Sequence, residues 1–233
     1  MSVVKRKESI EKMFDDISSQ YDFLNHFLSL GIDVLWRKKL VRLLRTKKPS
    51  RILDVATGTG DLAIALTRLK PEKIIGIDIA EKMLEIARQK IRKRGLDEII
   101  SFRKSDAERI PFSNQSFDAV TVAFGVRNYE DLRKGLSEMK RVLRPGGSMM
   151  ILEFSHPSTI PFKQLYRLYS RSVIPFIGQF ISGHSRAYNY LPESVDAFPS
   201  GNDFLEILSS TGLKNCRVIP LSFGIASIYC AEN

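Results

Sequence analysis

The sequence predicts an α/β protein built on a doubly wound, mainly parallel sheet of seven strands. Three observations carry that expectation. From Ser50 onward, short β-rich runs alternate with helical patterns. Several runs are continuous apolar stretches, as strands covered on both faces require. A glycine turn joins the first run to the helix after it. With 233 residues, 43% hydrophobic and 27% charged, the chain has the composition of a protein that buries a core, which excludes disorder and a disulfide scaffold. One domain is expected over 1–233, comprising a helical segment (1–48), a core (50–154), an inserted cap (155–200) and a C-terminal helix with a hairpin (201–233).

The elements follow in order. In residues 1–48, Phe14, Ile17 and Tyr21 are spaced to share one helical side. Trp36, Leu40, Leu43 and Leu44 then lie opposite Lys38, Arg42 and Arg45, forming a basic amphipathic helix. Of the net charge of +10, half falls within the first fifty residues. Strands are expected at 51–55, 73–79, 100–104, 117–123, 148–154, 216–220 and 225–231, with helices at 61–69, 81–93 and 129–142. In the second of these helices Met83, Ile86, Ala87 and Lys90, with Ile91, give one apolar face ending in a charged rim. Residues 221–224 are too few for a right-handed crossover, so the last two strands should pair antiparallel. Residues 155–200 hold Pro157, Pro161, Pro175, Pro192 and Pro199 among aromatics and read as a cap over the site.

Composition also bounds location and partners. The N-terminus has no apolar block before a small-residue cleavage site, so no secretory signal is readable. The greasiest region, 165–181, is broken by Arg167, Arg171, Pro175 and Gly178, which argues against a membrane span. Cys216 and Cys230 lie in apolar stretches, as buried thiols of a reducing cytoplasm would. The basic balance suits an anionic lipid surface or nucleic acid, but the cations are not interleaved with a stacking platform, which disfavours nucleic acid. No cysteine and histidine spacing suggests a metal site.

The sharpest local signal runs from Asp54 to Ala63, where an apolar strand enters the turn Thr57-Gly58-Thr59-Gly60 and then a helix. Gly58 and Gly60 let the backbone bend tightly beneath a ligand, and the following N–H groups can face it. Asp78 ends the next strand twenty positions past Gly58, where a carboxylate can accept from ribose hydroxyls. A nucleotide-like ligand is implied, and a dinucleotide oxidoreductase shares this much of the pattern. After the third strand, Asp106 can accept from an exocyclic amine while the Ala107 N–H can donate to the ring.

With Phe117-Asp118-Ala119-Val120 and Leu143-Arg144-Pro145-Gly146-Gly147, the string over 50–154 resembles class I S-adenosylmethionine-dependent methyltransferases, whose fold is Rossmann-like. That resemblance makes Asp54 and Thr57 to Gly60 neighbours of the methionine part, Asp78 the ribose acceptor, and Asp106 with Ala107 the adenine contact. The stretches Tyr21 to Ser29 and Arg141 to Gly147, ending at Glu153-Phe154-Ser155, are similar to the two signatures of the demethylmenaquinone and ubiquinone-precursor C-methyltransferases. Phe124 to Asn128 and Tyr188 to Ser194 also look like that family, whereas Asp33 stands where a histidine is usual.

The resemblance implies S-adenosylmethionine as cofactor and, as acceptor, a polyprenylated quinol methylated at a ring carbon. Demethylmenaquinol leads, because no N-terminal extension is present; a benzoquinol, a sterol and a phospholipid amine are the alternatives. The expected enzyme is cytoplasmic, touches the membrane surface transiently through the Trp36–Arg45 helix, and is compatible with a homodimer. Arg127, past the fourth strand, is the candidate to orient the quinol oxygen; its other reading is a structural ion pair with Glu130 or Asp131. Tyr21 and Asp22 are candidates to cover the cofactor and reach the acceptor. His26, His156 and His184 match no motif and are read as surface or capping residues. The cap aromatics Tyr166, Tyr169, Phe176, Phe180, Tyr188 and Tyr190 supply apolar area for the ring and its tail.

Overall fold

A computed structural model describes residues 6–29, 31–157, 160, 164 and 185–233, the side chains of 19–28 and 185–189 set aside. Two helices, α1 (Lys7–Leu28) and α2 (Ile32–Leu44), precede β1 (Arg51–Val55), α3 (Asp61–Leu66), β2 (Lys73–Asp78), α4 (Glu81–Lys93), β3 (Ile100–Lys104) and β4 (Phe117–Ala123). Then follow α5 (Leu132–Val142), β5 (Leu143–Phe154), α6 (Ser185–Asp196), α7 (Asn202–Ser210), β6 (Lys214–Leu221) and β7 (Ala226–Glu232).

The strands form one sheet in the order β3-β2-β1-β4-β5-β7-β6, with the first five parallel and β7 antiparallel to both its neighbours. The alternation of side chains explains the continuous apolar strands. Leu53 and Val55 pack on one face with Leu136, Met139, Phe204 and Leu208, while Ile52 packs on the other with Trp36, Leu40, Leu44, Leu62 and Leu66. The short 221–224 connection makes the antiparallel hairpin that its length required.

Several boundaries moved for physical reasons. Helix α5 begins at Leu132 and not at Tyr129, because Asp131 accepts from the Lys134 N–H (3.0 Å) and caps it. Strand β5 starts at Leu143, five residues early, since the chain end straps its glycine turn to the sheet: Gly146 N–H donates to the Asn233 carbonyl (2.8 Å) and Asn233 N–H to the Gly147 carbonyl (3.1 Å). Helix α3 stops at Leu66 and continues as one 3-10 turn to Leu69. On α4, Leu84 and not Ile86 joins Met83, Ala87 and Ile91 in the buried face.

Helix α1 roofs the carboxyl ends of the strands, a placement no periodicity could give. Its Glu11 pairs with Lys104 (2.6 Å), and its Asp15 accepts from the Lys82 N–H (3.0 Å) in the first turn of α4. Of the expected cap, Tyr166, Tyr169, Phe176, Phe180 and Tyr188 lie outside the described side chains, while Val195 and Phe198 are buried. Among the described residues no helix is long and apolar enough to cross a membrane.

Candidate active site

The ends of β1 and β2 are neighbours in the sheet, and this brings the glycine turn onto Asp78. The Gly58 N–H donates to Asp78 Oδ2 (2.7 Å) and the Ala80 N–H to Oδ1 (2.9 Å). Each oxygen retains a lone pair for a further donor. Burial raises the Asp78 pKa above the ordinary value, against the pull of those N–H groups. Gly60 sits at φ 82°, and a Cβ there would come within 2.9 Å of the Phe102 ring and 3.2 Å of Ala87, so the turn admits only glycine.

Asp54, at the end of β1, is buried, and its oxygens accept from Thr57 Oγ1 (2.6 Å) and Thr121 Oγ1 (2.7 Å). Burial outweighs both hydroxyls and pushes its pKa up from 3.8 to about 6.

Asp106 Oδ1 accepts from the Glu108 N–H (2.8 Å), and Oδ2 pairs with Lys7 of α1 (2.6 Å). Lys7 also reaches Glu108 (2.9 Å), and these two carboxylates raise its pKa despite burial. The other Glu108 oxygen accepts from the backbone N–H groups of Glu130 (2.9 Å) and Asp131 (3.0 Å). Sequence reasoning missed Lys7 and Glu108. Lys7 is remote in the chain, and no local pattern distinguishes Glu108 from a solvated acid.

One cleft results, floored by Gly58, Asp78 and Ala107, roofed by Ile10 and Phe14 of α1, and closed by Phe124, Asn128 and Tyr129. An adjoining hollow is lined by Arg37, Asp54, Thr57 and Asp61. The acceptor-rich lining bears on the choice between ligand classes. Asp54, Asp61, Asp78, Asp106, Glu108 and Glu130 face Lys7 and Arg37, and Arg37 is held by Asp33 and Asp61. Such a lining suits a ligand bearing hydroxyls, an amine and positive charge, and it repels the pyrophosphate of a dinucleotide. S-adenosylmethionine fits that description.

Arg127 is 4% exposed and pairs with Glu153 (2.8 Å), itself fully buried. Its other donors reach the Phe124 carbonyl and Ser194 Oγ (3.3 Å), and its guanidinium carbon lies 5.4 Å from the centre of the Phe154 ring. The ion-pair partner expected from the sequence, Glu130 or Asp131, is therefore corrected to Glu153. The single 3-10 turn Val126–Asn128 buries Arg127 beside the end of β5, whereas the Glu130 and Asp131 backbones are tied to Glu108. Asn128 lines the cleft, and its Oδ1 accepts from the Tyr190 hydroxyl (3.0 Å). Tyr21 and Asp22 lie on α1, but their side chains, with that of His26, fall outside the described set, as does His184. His156 lies 3.6 Å from Asp196 at the surface.

The ubiE/COQ5 methyltransferase family model matches residues 1–233. Demethylmenaquinone methyltransferase of Bacteroides fragilis is 48% identical over 228 residues, covering 97% of this chain and 93% of the relative. Its counterpart in Thermus thermophilus is 46% identical over 94% of this chain and 99% of the relative. The ubiquinone/menaquinone biosynthesis C-methyltransferase UbiE of Geotalea daltonii is 44% identical over 99% and 98%. Among solved structures, a SAM-dependent methyltransferase from Thermotoga maritima superposes with a TM-score of 0.65 at 19% identity, over 95% of this chain and 98% of that one. Another, from Aquifex aeolicus, gives 0.57 at 24% identity over 78% and 81%, so the fold is that of class I methyltransferases. On the full-length family match and these relatives, the chain belongs to the ubiE/COQ5 methyltransferase family.

Proposed function

We propose that this protein uses S-adenosylmethionine to methylate a ring carbon of demethylmenaquinol, giving menaquinol. The observation that carries the reading is the acid-lined cleft in which Gly58 and Asp78 are joined by a 2.7 Å hydrogen bond. The names of the full-length relatives supply the acceptor. Bound there, S-adenosylmethionine supplies the methyl group from a sulfonium centre.

The chain's own residues then have separable tasks. Asp78 accepts from ribose hydroxyls through the lone pairs left by Gly58 and Ala80. Asp106 and Ala107 address the adenine edge, and Thr57, Gly58 and Gly60 wrap the methionine part, with ionised Asp54 balancing its positive charge. Helix α1 excludes water by lying across the cleft on Ile10 and Phe14. A quinol carbon becomes nucleophilic when a ring hydroxyl gives up its proton. The carbon takes the methyl group and then loses its own hydrogen as a proton. Holding both reactants in line is worth ~7–11 kcal/mol of such a barrier.

Arg127 acts from behind the acceptor wall. Paired with Glu153 and the Phe124 carbonyl, it fixes the turn that carries Asn128, and its charge, partly balanced by Glu153, orients the quinol oxygen. Tyr21 and Asp22, on the helix that roofs the cleft, relay the departing proton. The acceptor's polyprenyl tail keeps it in a bilayer, so the enzyme works at the cytoplasmic membrane surface, as a monomer or homodimer.

The test is incubation with methyl-labelled S-adenosylmethionine and a reduced demethylmenaquinone analogue, followed by mass analysis. One labelled methyl on the naphthoquinol ring is expected. Label on a phospholipid amine, a sterol or a benzoquinol, with the naphthoquinol untouched, would overturn the assignment.

A further inference from the structure

Arginines that serve the fold of this protein use their donors on it. Arg141 bonds through all three nitrogens, to Glu138, Asn114 and the Phe112 and Ile110 carbonyls, at 2.7–2.9 Å. Arg127 uses Nε and Nη1 on Ser194, Glu153 and the Phe124 carbonyl. Arg37, on α2, is different. It is only 8% exposed, yet both its contacts are made by Nη2, one to Asp33 Oδ2 and one to Asp61 Oδ2 (3.4 Å). Nη1 and Nε, which carry the other N–H groups, have no acceptor among the described residues. A charged donor left without an acceptor in so buried a place is costly. Neither nitrogen is sealed in, because Ser148 Oγ is the one fully buried side-chain polar atom without a partner among the described residues.

The hollow that Arg37 lines says what acceptor these donors suit. It adjoins the cleft through Ala56, Gly58, Ala123 and Phe124, which border both. Asp54 and Asp61 line it beside Arg37, so carboxylates able to receive an ammonium stand next to a guanidinium able to receive a carboxylate. An α-amino acid presents those two groups on one carbon. The nearby cations are committed elsewhere: Lys7 to Asp106 (2.6 Å) and Glu108 (2.9 Å), and Lys90 to Asp61 (2.7 Å) and Thr59 (3.0 Å). Asp33, 2% exposed and one helical turn before Arg37, holds Nη2 through Oδ2 while its Oδ1 accepts from Ser29 Oγ (2.6 Å). The planar guanidinium is thereby fixed before any ligand arrives, which lowers the ordering cost of binding.

We infer that Arg37 anchors the α-carboxylate of the ligand's methionine part, with Asp33 positioning its guanidinium and with Asp54 and Asp61 receiving the neighbouring ammonium. The inference rests on the proposed S-adenosylmethionine. It gives recognition of the amino-acid end to α2, a helix outside the glycine-turn pattern, and separates it from the nucleoside end at Asp78 and Asp106.

The test is calorimetry of the full chain with S-adenosylmethionine and with its decarboxylated analogue, which keeps the nucleoside, the sulfonium and the ammonium. The variants are Arg37→Gln and, because that change alone leaves Asp33 buried without its cation, the neutral pair Asp33→Asn/Arg37→Gln. Taking the ratio of the two affinities within each protein cancels the general attraction of the acid lining for positive charge. The preference for the carboxylate-bearing ligand should fall roughly tenfold or more from wild type to either variant, as the loss of a charge-assisted hydrogen bond implies. An unchanged ratio, whether both affinities hold or both drop together, overturns the inference and leaves Arg37 a structural ion pair. If folded wild type binds neither compound, the proposed cofactor itself fails, and the anchor with it. Binding of both compounds with an unchanged ratio sinks the anchor alone.

Discussion

Asp54 offers a perturbation whose size follows from its surroundings. Its pKa rises from 3.8 to about 6 because burial outweighs its two threonine hydroxyl donors. A carboxyl with a raised folded-state pKa contributes fully below the unfolded value, and that contribution is lost as pH rises through the folded value. The window therefore runs from about 3.8 to 6, and above it the ionised group costs about 3 kcal/mol. Asp54→Asn removes this titration and is nearly isosteric. The amide oxygen still accepts from Thr57, and the amide N–H can donate to Thr121 Oγ1, whose own hydrogen can turn to the Leu53 carbonyl (3.5 Å). Urea denaturation of both proteins across pH 4.5–8 should show the difference in stability growing with pH, toward a variant about 2–3 kcal/mol more stable at pH 8. The subtraction cancels the carboxylates the two proteins share. A variant destabilised by the same amount at every pH would refute burial as the dominant influence on this group. Because the carboxylate is retained at a stability cost, the same substitution should weaken S-adenosylmethionine binding, and calorimetry in two buffers should show wild type releasing up to about half a proton on binding near pH 6.

Asp78→Ala should weaken S-adenosylmethionine binding by roughly twentyfold or more, from two lost charge-assisted hydrogen bonds and a loosened Gly58 turn; unchanged calorimetric affinity would remove the ribose assignment. Arg127→Ala leaves Glu153 buried and uncompensated and should cost about 3–5 kcal/mol in chemical denaturation, with the added Glu153→Leu change restoring much of it. If the two losses simply add, the pair is not coupled. Arg127→Lys should preserve cofactor affinity and slow turnover, because a point charge cannot hold Glu153, Phe124 and Ser194 together.

Much of this protein was legible before folding was considered. Strand spacing gave the parallel sheet, the four-residue connection gave the hairpin, and the pattern singled out Gly58 and Asp78, twenty positions apart, whose direct hydrogen bond only the structure reveals. These features are local or set by chain connectivity, so periodicity and turn chemistry determine them. Other features depend on segments far apart in sequence meeting in space. Lys7 reaches Asp106 across ninety-nine positions, Glu153 takes Arg127 from nearer acids, and the chain end draws the Arg144–Gly147 turn into β5. The sequence by itself thus determined the sheet, the glycine turn after β1 and the residue types around it, because backbone geometry imposes them locally. Only the tertiary structure decided which charges pair, which helix roofs the cleft and which apolar side chains stay outside, because burial and Coulomb energy depend on distances that spacing along a chain does not encode.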